Sequence, residues 1–199
     1  MYARVGRLIA QAVGTIHKLR SNTEGALVVQ ALGPEYADAV LAGRVFSVAN
    51  QAAVSTTAAL ATTWTGLAVV NPATSVKNLH LLEFGAAQLA AGAAGGIGLM
   101  IATPGDLASS LTPVNALVGN GAVSCAFGDA GGTPGTPVLY RVFGAIGSVA
   151  TTAYGLIPGL VVPLRGSLII PPGYAVLTYT TAATTTALAF HLMWEEVTA

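Results

Sequence analysis

The stretch Ala187–Glu195, ALAFHLMWE, alternates large apolar side chains with smaller or more polar ones. Successive side chains of a β-strand point to opposite faces, so the two sets separate cleanly when this segment is extended. The large set is Leu188, Phe190, Leu192 and Trp194, and the other is Ala187, Ala189, His191, Met193 and Glu195. The pattern therefore predicts a strand that presents its large apolar face to a core.

Similar short segments, separated by glycine- and proline-containing turns, extend back to residue 44. We predict strands at Val45–Ala49, Trp64–Val70, Leu79–Phe84, Gly95–Ala102, Ala122–Phe127, Val138–Phe143, Leu160–Leu164, Ser167–Ile170, Tyr174–Thr180 and Ala187–Glu195. A turn-rich segment is expected at Gly128–Pro137. Many short strands with frequent turns predict an all-β fold, an antiparallel β-sandwich of the jelly-roll type, with an up-and-down barrel as the alternative.

The first 43 residues differ from the remainder, and we predict an N-terminal region at 1–43 and a jelly-roll domain at 44–199. Apolar residues in segment 1–20 recur at three- and four-residue spacing, which predicts an amphipathic helix, although its glycines also permit an extended arm. The segment has four positive charges, Arg4, Arg7, Lys18 and Arg20. Three interpretations of this segment are open: an ordinary surface helix, an arm that docks on an acidic partner, and a helix that lies on a membrane surface. A short strand within Ala26–Leu32 and a short helix over Pro34–Ala42, ended by Gly43, follow.

Charge is scarce throughout the chain. Of its 199 residues, 8% are charged and 53% hydrophobic, and 8 Lys+Arg balance 8 Asp+Glu, whereas an average domain is about 25% charged. Between Phe84 and Trp194 the charged residues are Asp106, Asp129, Arg141 and Arg165. Zero net charge argues against nucleic-acid binding, and the single cysteine excludes an intrachain disulfide. A chain so poor in charge lies in a bilayer or has much of its surface covered by protein.

The uncharged runs do not have the composition of membrane helices. Val142–Leu164 contains Pro158 and Pro163, and Gly166–Trp194 contains Pro171-Pro172-Gly173 and a threonine cluster. Loops rich in Lys and Arg do not alternate along the chain, so no orientation signal is present. We therefore expect no membrane association and no targeting segment.

Catalytic and metal-binding motifs are not evident. His17, His80 and His191 lie far apart in the sequence, and we interpret His80 and His191 as hydrogen-bonded structural residues. Glu195 and Glu196 are interpreted as a solvated strand end, and Cys125 as a small buried apolar residue. We predict that the protein is not an enzyme and needs no cofactor or metal. A sugar could stack on Trp64 or Tyr140, although core packing is the preferred role for Trp64.

Three segments resemble small virion proteins of tailed bacteriophages. The similar segments are RVFSVANQAAVSTTAALATTWTGLAVVNP (44–72), NLHLLEFG (78–85) and GSLIIPPGYAVLTYTTAATTTALAFHLMWEEV (166–197). The resemblance implies a structural particle component, often a trimer of jelly-roll subunits that acts as cement or decoration on the capsid exterior. The basic N-terminal segment departs from the family pattern.

We therefore expect a capsid decoration protein, made in the host cytoplasm and located on the virion surface. Its expected partners are copies of itself in a homotrimer and the major capsid protein, which Arg4, Arg7, Lys18 and Arg20 help to contact. One alternative is a tail, fibre or head-fibre component whose jelly roll recognises host glycans. Another is a secreted or outer-membrane β protein of a cell.

Overall fold

The computed structural model describes residues 20–21, 27–28, 35–58, 60, 63–108, 110–146 and 159–199. The chain divides into two compact units, Met1–Ala37 and Asp38–Ala199. In the first unit Arg20–Ser21 (β1) pairs antiparallel with Leu27–Val28 (β2). A helix or an extended arm is predicted over residues 1–20. Residues 1–19 lie outside the described part of the chain, so the structure does not test this prediction.

A short helix, α1 (Ala37–Leu41), precedes the sandwich and confirms the predicted element, although it begins later than Pro34. Gly43 follows it with φ 70° and donates its N–H to the carbonyl of Val40. Glycine adopts this left-handed conformation without a steric penalty, which is why the helix ends here.

The strands of the second unit account for most of its described residues. They are β3 (Val45–Ala49), β4 (Val54–Thr56), β5 (Trp64–Asn71), β6 (Lys77–Gln88), β7 (Gly95–Thr103), β8 (Val114–Asn115), β9 (Phe127–Gly132), β10 (Gly135–Ile146), β11 (Gly159–Ile170), β12 (Tyr174–Thr180) and β13 (Thr184–Thr198).

The strands form two antiparallel sheets, which confirms the predicted all-β sandwich. One sheet has the order β10-β7-β12-β5-β9, and the other has the order β11-β6-β13-β3-β8, with β4 also paired to β13. If β4, β8 and β9 are set aside, each step along the chain crosses from one sheet to the other, except the step between the neighbours β7 and β10. Eight strands connected in this way form a jelly roll.

The main core lies between the two sheets, and the predicted face of β13 points into it. Leu188, Phe190, Leu192 and Trp194 are all buried there. Phe190 stacks on Phe84 of β6 with ring centroids 6.4 Å apart. Burial of large aromatic and aliphatic side chains from both sheets stabilises the sandwich through the hydrophobic effect.

A second apolar cluster lies on the opposite face of the five-stranded sheet. It includes Trp64 of β5, Met100 of β7 and Leu177 of β12. Trp64 is 1% exposed, and its indole Nε1 donates to the carbonyl oxygen of Thr178 at 2.9 Å. The preferred core role of Trp64 is therefore confirmed.

Two strand predictions need correction. The segment 122–126 is not a strand. The strand β9 lies instead at Phe127–Gly132, and all of it except Phe127 falls in the segment predicted as turns. The strands predicted at Leu160–Leu164 and Ser167–Ile170 are one strand, β11, whose register against β6 shifts between Pro163 and Leu168. Within this irregularity Arg165 and Gly166 have φ values of 51° and 76°, which accommodate the extra residues as a bulge.

Candidate functional site

The residues predicted to contact the capsid lie almost wholly outside the described part of the chain. Arg4, Arg7 and Lys18 belong to the segment that the structure does not describe. Arg20 lies in β1, where only its backbone is described. Their role in partner binding therefore stays a prediction.

A buried ionic cluster lies at one end of the sandwich, centred on Glu196 of β13. The carboxylate of Glu196 accepts hydrogen bonds from Lys77 Nζ at 2.7 Å, Ser124 Oγ at 2.6 Å and the backbone N–H of Cys125 at 2.8 Å. The side chain of Glu196 is fully buried, whereas that of Lys77 is 39% exposed. The interpretation of Glu195 and Glu196 as a solvated strand end is therefore wrong for Glu196.

Both members of the ion pair are held in their charged forms. Burial alone would raise the pKa of Glu196, but the hydrogen bonds from Lys77, Ser124 and Cys125 outweigh it and lower that pKa. The hydrogen bond to Glu196 raises the pKa of Lys77. Charge-assisted hydrogen bonds of this kind are stronger than neutral ones, so the cluster fastens β13 to β6 and to the segment before β9.

The cluster does not have the features of a nucleophilic catalytic site. Burial raises the pKa of the Cys125 thiol, which keeps it protonated and weakly nucleophilic. The Glu196 carboxylate is already engaged by three donors and has little capacity to act as a base. In the part of the chain that the structure describes, no group of three or more His, Cys, Asp or Glu residues is arranged to hold a metal ion.

The alternation that identified β13 also contained the signal for Glu196. Positions 188, 190, 192 and 194 face the core, and 196 continues the same series. Burial of a carboxylate at such a position costs much free energy unless hydrogen-bond donors or a cation compensate its charge. Those partners, Lys77 and Ser124, are distant in sequence, so the alternation alone could not identify them.

The outer face of the six-stranded sheet carries a second polar group. Nε2 of His191 lies 2.8 Å from Oε1 of Glu83, and Arg44 Nη2 lies 2.8 Å from Oε1 of Glu195. The His191 and Glu83 side chains are each more than one third exposed. The prediction that His191 is hydrogen-bonded is confirmed, and the pair lies on the surface rather than in the core.

Exposed apolar side chains concentrate along the edge formed by β10 and β11. We call this surface the β10–β11 patch. It comprises Val138, Leu139, Tyr140, Val142, Val161 and Ile169, which are 38–61% exposed. The only charged side chain of β10 is Arg141, whose guanidinium lies 5.4 Å from the centre of the Phe143 ring. The register places Leu139 and Val142 on the outer face of the five-stranded sheet and Val161 and Ile169 on the outer face of the six-stranded sheet, so these side chains border the edge from both sides. Exposed apolar side chains of this number are candidates for contact with another protein.

A second exposed apolar surface lies beside β8, and we call it the β8-edge patch. It comprises Leu41, Val114, Val118 and Val123, which are 66–95% exposed. Asn115 Nδ2 donates to the carbonyl oxygen of Gly43 at 2.8 Å, which holds the β8 segment against the end of α1. The segment Leu111–Gly128 that carries most of this patch has no charged residue.

Comparison with known proteins adds no further constraint. Among the residues that the structure describes, no helix is long and apolar enough to cross a bilayer. No protein-family model, curated protein or solved structure matches this chain.

Proposed function

We propose that this protein is a structural subunit of a tailed-bacteriophage virion, a decoration or cement protein that binds the outer surface of the major capsid protein. One observation carries the proposal: the jelly roll exposes the β10–β11 patch on a domain with very few charges. Burial of that patch in an assembly removes apolar surface from water, and a coat subunit needs such contacts more than it needs a pocket.

The distribution of the few charges supports a covered surface. Asp129, one of the charged residues between Phe84 and Trp194, is only 4% exposed. Its carboxylate accepts hydrogen bonds from the backbone N–H groups of Ala108 and Ala130 and from the Ser110 hydroxyl. Asp129 therefore stabilises the loop at 108–110 instead of facing water. Fewer charged side chains then remain on the surface to keep a free monomer soluble.

The proposed subunit is a homotrimer and not an enzyme. The Lys77–Glu196 cluster supports the absence of catalysis, because its ionic groups bind each other instead of facing an open cleft. The virion location and the major capsid protein as partner rest on the resemblance of the segments 44–72, 78–85 and 166–197.

We assign attachment to the basic N-terminal segment. Arg4, Arg7, Lys18 and Arg20 bring four positive charges and no negative charge to residues 1–20. Such a segment is attracted electrostatically to an acidic surface. The rest of the chain, which has no excess of positive charge, is not attracted in this way. The sandwich then provides contacts between neighbouring subunits.

Deletion of residues 1–20 tests this division of roles. Bare capsids purified from the source particle are mixed with the full-length or shortened protein, and occupancy is measured by quantitative gel analysis and cryo-electron microscopy. We expect loss of capsid binding with an unchanged oligomer and an unchanged thermal unfolding transition. Equal occupancy by both proteins would refute the role of the segment, and absence of binding by the full-length protein would refute the decoration role.

A second candidate function is glycan recognition by a tail or fibre component. Tyr140 favours it, because this residue is 38% exposed on β10 and an exposed aromatic side chain can stack on a sugar. A glycan array probed with the wild type and with Tyr140→Ala separates the two functions. A signal lost in Tyr140→Ala, together with a copy number of at most a few dozen per virion, would favour the tail component.

A further inference from the structure

We infer that Asn120 is a site of spontaneous chemical modification, at which the folded chain converts an asparagine into aspartate and isoaspartate without an enzyme. Gly121 follows it directly, and this is the single Asn-Gly pair of the chain. In such a pair the backbone nitrogen of the second residue approaches the side-chain carbonyl carbon of the first with little hindrance, because glycine has no Cβ. No part of the proposed function depends on this pair.

A hydrogen bond holds the Asn120 side chain beside the peptide group that must react. Its Oδ1 accepts from the backbone N–H of Ala122 at 2.9 Å. The ring closed by this bond contains both the Cγ of Asn120 and the nitrogen of Gly121, so the two reacting atoms stay close to each other. The Ala122 N–H also stabilises the negative charge that develops on Oδ1 when Cγ is attacked.

The nitrogen that attacks belongs to an accessible and unrestrained peptide group. Gly121 is exposed and lies outside the helix and the strands. Its N–H donates a hydrogen bond to none of the described residues. A Cβ built on Gly121 would have no atom within 4 Å. The backbone can therefore rotate toward the side chain without displacing a neighbour, whereas a peptide group inside a strand is held by its hydrogen bonds.

The conversion needs no reactant other than water. The Gly121 nitrogen loses its proton to base in the solvent and bonds to the Cγ of Asn120, while the bond from Cγ to the side-chain nitrogen breaks and ammonia leaves. Water then opens the cyclic imide at one of its two carbonyl groups, which gives aspartate or isoaspartate. Either product has a carboxylate in place of the amide, so the formal net charge of the chain falls from zero by one unit.

The new charge would appear on a surface that has none. Residues 107–128 contain no charged side chain, and Val118 and Val123 of the β8-edge patch flank Asn120 in the sequence. The Asn120 amide also lies against Gly43, since a Cβ on Gly43 would be 2.5 Å from its Nδ2. In isoaspartate the main chain passes through the former side chain and this contact is lost. The modification therefore changes both the charge and the geometry of the β8-edge patch.

Asn115 serves as an internal control with a similar local hydrogen bond. Its Oδ1 accepts from the N–H of Leu117 at 2.8 Å. It is, however, 8% exposed, and its Nδ2 donates to the carbonyl oxygen of Gly43 at 2.8 Å. The next residue is Ala116, whose Cβ hinders the attack. Asn115 should therefore stay intact under conditions that convert Asn120.

Incubation of the full-length protein in mildly alkaline buffer, followed by peptide mapping with mass spectrometry, tests the inference. The conversion adds about 1 Da and one negative charge. Fragmentation by electron transfer separates isoaspartate from aspartate, and isoelectric focusing follows the change in charge. We expect conversion at Asn120 and not at Asn115, at a rate that rises with pH because the attacking nitrogen must lose its proton.

Gly121→Ala is the matched variant, because the φ of Gly121 is not left-handed and the new methyl group meets open space. It should keep the thermal unfolding transition and slow the conversion of Asn120 by roughly tenfold or more. The wild type unfolded in guanidinium gives the rate without the fold. A folded chain that converts Asn120 at less than about one tenth of the unfolded rate would overturn the inference. Equal rates in the wild type and Gly121→Ala, or equal conversion of Asn115, would also overturn it.

Discussion

The imidazole of His191 lies directly over the α-carbon of Gly85 in the neighbouring strand. The two residues are register partners of β13 and β6, and a Cβ on Gly85 would lie 1.9 Å from Cε1 of the His191 ring. This closeness allows the ring to lie across the sheet and reach Glu83, 2.8 Å from Nε2. Gly85 therefore has a positional role on the outer face of the six-stranded sheet.

We predict that Gly85→Ala has opposite effects with and without the imidazole. With His191 present, the new methyl group displaces the ring and lowers the free energy of unfolding by about 1 kcal/mol. In a His191→Ala background the same change raises it by about 0.5–1 kcal/mol, because alanine loses less conformational entropy than glycine in a strand. Urea unfolding of the two single variants, the double variant and the wild type measures the coupling. Equal effects in both backgrounds would contradict the contact.

Glu195 and Glu196 provide a matched pair for the buried cluster. Glu196→Gln removes the charge that faces Lys77 and should lower the free energy of unfolding by about 2 kcal/mol, less than for a wholly buried pair because Lys77 can regain water. Glu195→Gln removes a surface pair with Arg44, whose side chain is 50% exposed, and should cost below about 1 kcal/mol. Chemical denaturation compares the two, and equal losses would argue against the special role of Glu196.

The same carboxylate predicts a loss of stability in acid. The pKa of Glu196 is lower in the folded chain than its ordinary value, so its contribution is fully present above the unfolded pKa of about 4.3 and disappears as the pH falls through the folded pKa. The free energy of unfolding should therefore decrease below about pH 5. The decrease should be shallower in Glu196→Gln, which has no carboxylate at this position. Parallel slopes for the two proteins between pH 5 and pH 3 would contradict this assignment.

The basic N-terminal segment predicts salt-sensitive attachment. Replacement of Arg4, Arg7, Lys18 and Arg20 by glutamine should weaken binding to bare capsids at low salt and remove most of its dependence on ionic strength. The control replaces Arg141 and Arg165, which lie outside the N-terminal segment, and should keep the salt dependence of the wild type. Binding isotherms at several salt concentrations make the comparison. Wild-type binding that does not change with salt would exclude an electrostatic role for the segment.

Strands with strong alternation were predictable from the sequence. Val45–Ala49 and Tyr174–Thr180 have the bounds that their side-chain patterns predict. The composition of β9, FGDAGG, does not predict a strand, because it contains no β-branched residue and much glycine. It forms because β5 offers it a partner, with Val70 opposite Phe127 and Ala68 opposite Asp129. Such pairing depends on tertiary context, which local propensity does not contain.

The functional surfaces were less predictable than the fold. The sequence pattern predicts a strand over Ser124 and Cys125, but the Ser124 hydroxyl and the Cys125 N–H instead donate hydrogen bonds to the buried carboxylate of Glu196. The exposure of Val138 and Val161 follows from the edge positions of β10 and β11, which only the strand order reveals. A strand in isolation does not indicate whether its apolar face meets a core or water.

The position of β13 has a consequence for how the protein is synthesised. This strand follows all the others in the chain, yet it lies inside its sheet, between β6 on one side and β3 with β4 on the other. During translation β3 and β6 are therefore synthesised before the strand that pairs with both of them. Until β13 is made, the apolar side chains of β6 stay accessible to other nascent chains. The six-stranded sheet closes only after β13 has left the ribosome, and aggregation competes most strongly with folding during this interval.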